Sequence, residues 1–286
     1  MTPLKKNKNK HINPPLAKIA PMDRIASKVN QFYERYPYPS LPIKNESDLV
    51  KKLHANVMSK ILATAGLTPG ILSGKDILDA GCGTGEKAVY FSYHGARVTA
   101  FDLCRASLKK ARELADRFNL HVDFSHCDIA EFETEKRFDN VFCLGALHHT
   151  KYPYDNFLAL EKLCRPGGTI TIGLYNRYGR LGHRAVRTWI GLRAGEDLGR
   201  RMDYVERSIY GRKMRSLHEI AYVADKYVHP HESYHTVEEV LDWFEKNDYS
   251  YIGAHPHTES GMKAFFTQIK WMVKGNGFFV MSGRKN

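Results

Sequence analysis

The sequence predicts an α/β protein built on a doubly wound, mostly parallel sheet of seven strands, with helices on both faces. Strand-like and helix-like patterns alternate from residue 77 to residue 174, which is the order expected when helices connect parallel strands. Two further strand-like segments follow at 249–254 and 277–283. The chain has 286 residues, of which 43% are hydrophobic, so it can bury a substantial core.

The first strand, Ile77 to Ala80, leads into glycines at positions 81, 83 and 85. A strand that enters a glycine turn lets a bulky ligand lie directly against the main chain. A dinucleotide fingerprint would need glycine at position 86, where the chain has glutamate, and no Gly-Lys-Ser/Thr follows for a P-loop. The simpler alternative is that the glycines serve only a tight turn between a strand and a helix.

The segment from Asp79 to Gly85, Asp-x-Gly-x-Gly-x-Gly, resembles the first motif of the class I S-adenosylmethionine-dependent methyltransferases. In that family the acidic residue and the loop backbone hold the amino acid end of the cofactor. The resemblance therefore implies S-adenosylmethionine as the cofactor. Around it the resemblance places Asp79 and the loop residues Gly81, Cys82, Gly83, Thr84 and Gly85.

The second strand, Val98 to Leu103, carries an acid, Asp102, near its end. In a doubly wound sheet this strand ends beside the ligand crevice, where a carboxylate can accept both ribose hydroxyls. Asp102 is the candidate for this role, with Leu103 beside it. The alternative is that Asp102 caps the helix that begins near Arg105, and both roles can hold together.

The third strand, within 121–129, brings a third acid, Asp128, to a strand end. The resemblance implies that Asp128 hydrogen-bonds the adenine amino group and that Ile129 packs against the ring. Taken alone, Asp128 would be an ordinary turn residue. Acids at three successive strand ends favour the cofactor interpretation, and Leu144 on the fourth strand completes the predicted cofactor set.

The fourth strand runs into two adjacent histidines, His148 and His149. Imidazole titrates near neutrality, so both are candidates for the general base that an acceptor carrying a proton would need. The alternative is that one packs while the other hydrogen-bonds the main chain. The strand lacks the Asn/Asp-Pro-Pro-Tyr/Phe element of many nucleobase methyltransferases and is closer to small-molecule and quinone methyltransferases. The fifth strand, 169–174, follows a predicted Pro-Gly-Gly turn at 166–168.

The chain divides into five predicted parts. The first 20 residues contain five lysines and no acid, which is typical of a disordered basic arm. Residues 175–234 are too many for an unstructured loop, so they form a helical insertion. The parts are the arm (1–20), an N-terminal helical lid (21–70) with helices over 22–36 and 47–65, the cofactor-binding core (71–174), the insertion as a substrate cap (175–234), and a C-terminal helix with the final strand pair (235–286).

The helix of the last part begins with a capping box formed by Thr236 and Glu239. The resemblance implies that the final strand runs antiparallel to the others.

Candidate substrate-binding residues are aromatic, imidazole and polar side chains in the lid and the insertion. Between residues 175 and 215 there are eleven Lys or Arg against four Asp or Glu, a stripe that would line or roof a cleft at the carboxyl edge of the sheet. For the lid, plain packing against the sheet is an equal alternative. The candidates are Tyr33, Tyr36, Tyr175, Asn176, Arg177, Tyr227 and His229.

The composition predicts the cellular location of the protein and the state of its cysteines. No run of eighteen apolar residues occurs and the start is charged, which predicts a cytoplasmic protein without a transmembrane segment. The five cysteines are widely spaced and predict reduced thiols. No metal site is predicted, because His229, His231 and Glu232 match no established ligand spacing.

The sequence thus predicts a methyltransferase that moves a methyl group from S-adenosylmethionine to a small, anionic or aromatic acceptor. The net charge of +12 leaves methylation of tRNA or rRNA as an alternative, and an anionic metabolite or a membrane surface would use the same charge. A further alternative is a non-catalytic module that binds S-adenosylmethionine or a nucleotide, or an oxidoreductase on the same sheet. The acceptor and the oligomeric state are not determined by the sequence.

Overall fold

One mixed sheet of seven strands organises the protein. The computed structural model describes residues 23–259 and 261–286, so the predicted basic arm lies outside the described residues. The strand order is β3-β2-β1-β4-β5-β7-β6, and every neighbouring pair is parallel except the two that β7 makes with β5 and β6. The predicted fold class and the antiparallel last strand are confirmed. The strands are β1 (Asp76–Ala80), β2 (Arg97–Asp102), β3 (Asp123–His126), β4 (Phe138–Leu144), β5 (Cys164–Tyr175), β6 (Tyr249–His255) and β7 (Phe278–Lys285).

Eleven α-helices belong to the described part of the chain. They are α1 (Arg24–Arg35), α2 (Glu46–Val50), α3 (Leu53–Thr64), α4 (Glu86–Tyr93), α5 (Arg105–Arg117), α6 (Pro153–Glu161), α7 (Leu181–Ala194), α8 (Leu198–Ser208), α9 (Leu217–Tyr227), α10 (Val237–Lys246) and α11 (Met262–Lys274). The capping box of Thr236 and Glu239 begins α10 as predicted. No helix among the described residues is long and apolar enough to span a bilayer.

Three local predictions were wrong. The single helix expected over 47–65 is two helices, which are separated at Lys51 and Lys52. The helix α11 stands between the last two strands, where the sequence predicted no element. The predicted turn at 166–168 lies inside β5 as an irregularity, since the pairing with β4 jumps from Phe138 opposite Cys164 to Asn140 opposite Thr169. Glycine and proline there mark a bulge rather than a strand boundary.

The helices form three packed layers around this sheet. Side chains of α6, α10 and α11 pack against one face of the sheet, and those of α2 to α5 pack against the other. A separate apolar cluster joins α1 to the insertion helices α7, α8 and α9. Because α1 and the insertion pack on each other, both lie together at the carboxyl edge of the parallel strands.

Candidate active site

A cavity of about 1280 Å³ lies at the carboxyl edge of the sheet. Its walls come from the glycine loop after β1, the ends of β2, β4 and β5, the N-terminal helices and the insertion. Cavities for one drug-sized ligand span roughly 300–1,000 Å³. The volume is therefore large enough for a cofactor and a second small molecule side by side.

The glycine loop packs closely against two other segments of the protein. A Cβ at Gly81 would lie 2.4 Å from the Cβ of Ala146, and one at Gly83 would lie 2.4 Å from the carbonyl oxygen of Tyr38. Gly81 and Gly83 both have positive φ, at 66° and 58°. The glycines therefore allow the N-terminal segment and the β4 loop to approach, in addition to leaving main chain exposed to a ligand.

Three of the five predicted loop residues, Gly81, Cys82 and Gly83, line the cavity. The other two, Thr84 and Gly85, do not. The hydroxyl of Thr84 turns away to donate to Glu86 (2.7 Å) and accepts from the main-chain N–H of Ser40 (2.8 Å). Gly85 faces helix α5, where a Cβ would meet Ala111 at 2.6 Å.

Asp102 lines the cavity and fixes the loop. Its Oδ2 accepts from the N–H of Gly83 and its Oδ1 from the N–H of Cys104, each at 2.8 Å. The residue that caps α5 is Cys104, so the prediction of Asp102 as the cap was wrong, although its carboxylate still satisfies a donor just before the helix. Burial raises the pKa of Asp102 above its usual range. Leu103 also lines the cavity.

Asp79 does not face the cavity. Its carboxylate is fully buried beneath the loop, with Oδ1 at 3.6 Å from Nζ of Lys87 in the first turn of α4. Burial raises the pKa of Asp79 to about 6. Lys87, which was not predicted from the sequence, lines the cavity, and Asp79 does not.

The predicted adenine-side residues Asp128 and Ile129 line the cavity, and so does Leu144 of the predicted cofactor set. Asp128 accepts from the N–H of Ala130 at 2.9 Å and so begins a short 3₁₀ turn. Two of the three predicted strand-end acids therefore reach the same cavity.

A second wall of the cavity gathers hydroxyl, imidazole and carboxylate groups from distant parts of the chain. Asp225 on α9 accepts from the hydroxyl of Tyr33 on α1 (2.9 Å) and from that of Tyr175 at the end of β5 (3.1 Å). All three side chains line the cavity. Burial raises the pKa of each.

The sequence analysis missed Asp225. The available signal was an acid on the apolar stripe of α9, next to Ala224 and on the same helical face as Ala221 and Val228.

Both predicted histidines line this wall. Nδ1 of His149 donates to the carbonyl oxygen of His231 (2.8 Å), which leaves a lone pair on Nε2, 4.0 Å from Oδ1 of Asp225. Burial lowers the pKa of His149 to about 4, so the ring is neutral at physiological pH. His148 is fully buried with its ring 3.8 Å from that of Tyr175, and burial lowers its pKa well below the usual range.

The remaining substrate candidates divide into two groups. Tyr227 lines the cavity, and His229 lies behind it, stacked on His149 at 3.7 Å between ring centroids. Tyr36, Asn176 and Arg177 do not face the cavity, so their selection was wrong.

Packing explains each of these three errors. Tyr36 belongs to the apolar cluster of α1 and the insertion. The side-chain amide of Asn176 donates to Gln268 in the interior (2.9 Å). Arg177 points outward to the carbonyl oxygen of Tyr234.

The basic stripe of the insertion does not line the cavity as expected. Of its eleven cations only Arg180 does so, and its guanidinium pairs with Glu232 at 2.9 Å. Arg187 binds the same carboxylate (3.3 Å) and the carbonyl oxygen of His229. Arg180 and Arg187 therefore share the single carboxylate of Glu232, which offsets one of their two positive charges.

Among the described residues, His149, Asp225 and His229 bring three metal-ligating atoms within 4.8 Å of one another. The metal-ligand set considered from the sequence was His229, His231 and Glu232. These three side chains do not come together, because Glu232 is paired with two arginines. Nδ1 of His229 accepts from the N–H of His231 (3.2 Å), which places its proton on Nε2. The cluster is thus arranged as donors and acceptors for a polar ligand.

The chain is similar to known methyltransferases. A protein-family profile described as a methyltransferase domain matches residues 77–168. An uncharacterised protein of Synechococcus sp. is 30% identical over 81% of this chain and 60% of its own length. The ubiquinone biosynthesis O-methyltransferase of Bordetella bronchiseptica is 37% identical over 38% of this chain and 46% of its own length. The chain thus spans 46–60% of the length of these relatives.

Solved structures with the same fold include magnesium protoporphyrin IX methyltransferase of Synechocystis, with bound S-adenosylhomocysteine. It has a TM-score of 0.57 at 13% identity and covers 92% of this chain and all of its own. The N-methyltransferase NodS of Bradyrhizobium japonicum has a TM-score of 0.53 at 14% identity, covering 90% of this chain and 98% of its own.

Proposed function

Because residues 77–168 match a methyltransferase domain, we propose that this protein is a class I enzyme that transfers a methyl group from S-adenosylmethionine to a small-molecule acceptor. One observation carries the proposal. A single cavity joins the glycine loop and two strand-end acids to an enclosed wall of tyrosine, histidine and aspartate side chains. The acceptors named for relatives, in ubiquinone biosynthesis and in magnesium protoporphyrin methylation, support the small-molecule class.

Residues in the half of the cavity beside the glycine loop would hold the cofactor. Asp102 would accept the ribose hydroxyls, and Asp128 would bind the adenine amino group between Ile129 and Leu144. Gly81 and Gly83 would hold the amino acid end, and Lys87 would bind its carboxylate. This assignment differs from the family pattern, because Asp79 is buried and Lys87 beside it lines the cavity.

The acceptor occupies the other half, where the walls are aromatic. Tyr33, Tyr38, Tyr175 and the two histidines offer ring faces and edges to a planar ligand. Arg180 and Arg187 nearby share the one carboxylate of Glu232. The ring faces of this wall, rather than its charge, lead us to favour an aromatic acceptor.

The chemistry places few demands on the protein. When bound, S-adenosylmethionine supplies an electrophilic methyl group on a sulfonium, and the displaced sulfur leaves as a neutral thioether. The protein holds the acceptor in line with the methyl–sulfur bond and excludes water. His149 removes the proton of an acceptor hydroxyl, because its Nε2 carries a free lone pair and the His231 carbonyl fixes the tautomer.

Replacement of His149 by glutamine tests this role. We expect turnover to fall about 100-fold, the lower end of what general-base catalysis contributes, while the affinity for S-adenosylhomocysteine stays unchanged. Turnover is measured by methyl transfer and affinity by calorimetry. His121→Gln, at an exposed position, is the matched control. Unchanged turnover in His149→Gln and in His148→Gln would remove both from the mechanism.

The acceptor class is tested with labelled S-adenosylmethionine and a cell extract divided into a nucleic acid fraction and a small-molecule fraction. We expect the label in small molecules, and nuclease treatment to leave it in place. Label that nuclease releases, with RNA binding that falls steeply with salt, would establish the RNA alternative instead. If calorimetry detects binding of NAD but not of S-adenosylhomocysteine, the result would favour an oxidoreductase. A cytoplasmic location stays a prediction.

A further inference from the structure

The outer face of helix α11 is apolar where a surface helix is normally polar. Exposed apolar side chains recur at the three- and four-residue spacing that places them on one side of a helix. Val273 is 81% exposed and Met262 78% exposed. The opposite side of α11 buries Ala264, Gln268 and Trp271 against the rest of the protein. The exposed large residues of α11 are Met262, Phe265, Phe266, Met272 and Val273.

Helix α7 continues this surface. It exposes Leu181, Val186, Trp189 and Leu192, the last at 76%. The two helices are linked near their ends, because the ring of Phe265 lies 5.9 Å from that of Tyr178, in the segment just before α7. We call the exposed apolar side chains of the two helices the α7–α11 surface. Exposed apolar patches, unlike single scattered side chains, commonly mark interaction sites.

The charged residues on α7 and α11 themselves are all positive, although Lys263 pairs with exposed Glu259 just before α11. The sequences of α7 and α11 contain no Asp or Glu. Lys270 and Lys274 stand beside the apolar side chains of α11, and Arg193 lies over the ring of Trp189 at 4.3 Å. A face that combines apolar and cationic side chains matches the interfacial region of an anionic bilayer.

The cavity reaches this surface. Gly182 and Val186 of α7, Met272 of α11, and Phe278 at the start of β7 all line the cavity. Three of these, Val186, Met272 and Phe278, are also among the exposed apolar residues. The α7–α11 surface therefore borders the cavity.

We propose that the α7–α11 surface docks the protein onto an anionic lipid bilayer. A second copy of the chain fits less well, because a two-fold interface through this surface would oppose identical cations. With the surface in the headgroup region, an acceptor dissolved in the bilayer reaches the cavity without crossing water. This last consequence rests on the proposed function, whereas docking itself does not.

The test uses the full chain with vesicles of phosphatidylcholine alone and of phosphatidylcholine mixed with phosphatidylglycerol. We expect sedimentation with the mixed vesicles only. The double variant Phe265→Ser and Phe266→Ser should bind them about tenfold more weakly, since two apolar side chains no longer leave water. Ile71→Ser is the matched control, because Ile71 is also half exposed but precedes β1 at the opposite edge of the sheet.

Tryptophan fluorescence gives a second readout. Vesicle binding through the basic arm alone would not change it. Trp189 is half exposed, whereas Trp243 and Trp271 are buried, so a blue shift on mixed vesicles reports Trp189 entering the bilayer. Equal binding by wild type and the double variant, or no shift, would overturn the proposal. So would a wild-type dimer in light scattering that the double variant abolishes. Unchanged affinity of every variant for S-adenosylhomocysteine separates these outcomes from failure of the proposed function.

Discussion

Replacement of Asp102 by asparagine is expected to weaken S-adenosylhomocysteine binding about 100-fold, or roughly 2.7 kcal/mol. The carboxylate accepts from the N–H groups of Gly83 and Cys104 at once, each at 2.8 Å. Hydrogen bonds to a charged group contribute about 1.5–3 kcal/mol each. An asparagine offers one oxygen, so its amide N–H₂ would face one of the two main-chain donors. The loop would lose its anchor, and the cofactor would lose a ribose acceptor.

Calorimetry with S-adenosylhomocysteine measures the change directly, without knowledge of the acceptor. Asp116→Asn is the matched control, since Asp116 is exposed on α5, the helix that follows Asp102. We expect the control to bind like the wild type. Equal affinities for Asp102→Asn and the wild type would show that this acid does not contact the cofactor and that the loop holds its shape without it.

Replacement of Gly83 by alanine should lower the free energy of unfolding by about 3–4 kcal/mol. A non-glycine residue in the left-handed region costs about 1–2 kcal/mol, and Gly83 has a φ of 58°. Its new Cβ would also lie 2.4 Å from the carbonyl oxygen of Tyr38, a main-chain atom that cannot rotate away. The N-terminal segment would separate from the loop and lose the bonds from Thr84 N to Tyr38 (3.1 Å) and from Ser40 N to Thr84 (2.8 Å), at about 1 kcal/mol each.

Gly66→Ala separates the two contributions. Gly66 has a φ of 68°, and a Cβ there would meet nothing within 4 Å. Urea denaturation should therefore show a loss of about 1–2 kcal/mol for Gly66→Ala, roughly half that for Gly83→Ala. If both variants lose the same stability, the contact between the glycine loop and Tyr38 contributes nothing measurable.

The glycine loop shows how much of the site can be predicted from local sequence. An apolar strand before alternating glycines is sufficient to predict a turn with exposed main chain, because φ above zero is a property of each glycine alone. The carboxyl ends of parallel strands meet at one edge, so acids at the ends of β2 and β3 were expected to converge, and Asp102 and Asp128 line the same cavity. The pattern did not predict that Tyr38 also contacts the loop. Its carbonyl oxygen lies against Gly83.

Asp79 and α11 show that a sequence pattern does not predict which way a side chain faces. A side chain on a central strand faces one of two sides, and the motif does not record that Lys87 approaches Asp79 from α4. In α11 the helical spacing of apolar residues is present, yet spacing alone does not distinguish a face turned to the core from one turned outward. The exposed fractions of Met262 and Val273 decide this, and they depend on how the rest of the chain packs.

The sequence by itself determined the parallel strands and the glycine turn, because short-range periodicity and turn chemistry specify these, and the family resemblance added the antiparallel last strand. Only the tertiary structure decided the second wall of the cavity. The hydroxyl of Tyr33 and the carboxylate of Asp225 are 192 residues apart in the chain and 2.9 Å apart in space. Such a contact depends on two helices packing over the sheet edge, and no local pattern encodes which distant side chains meet there.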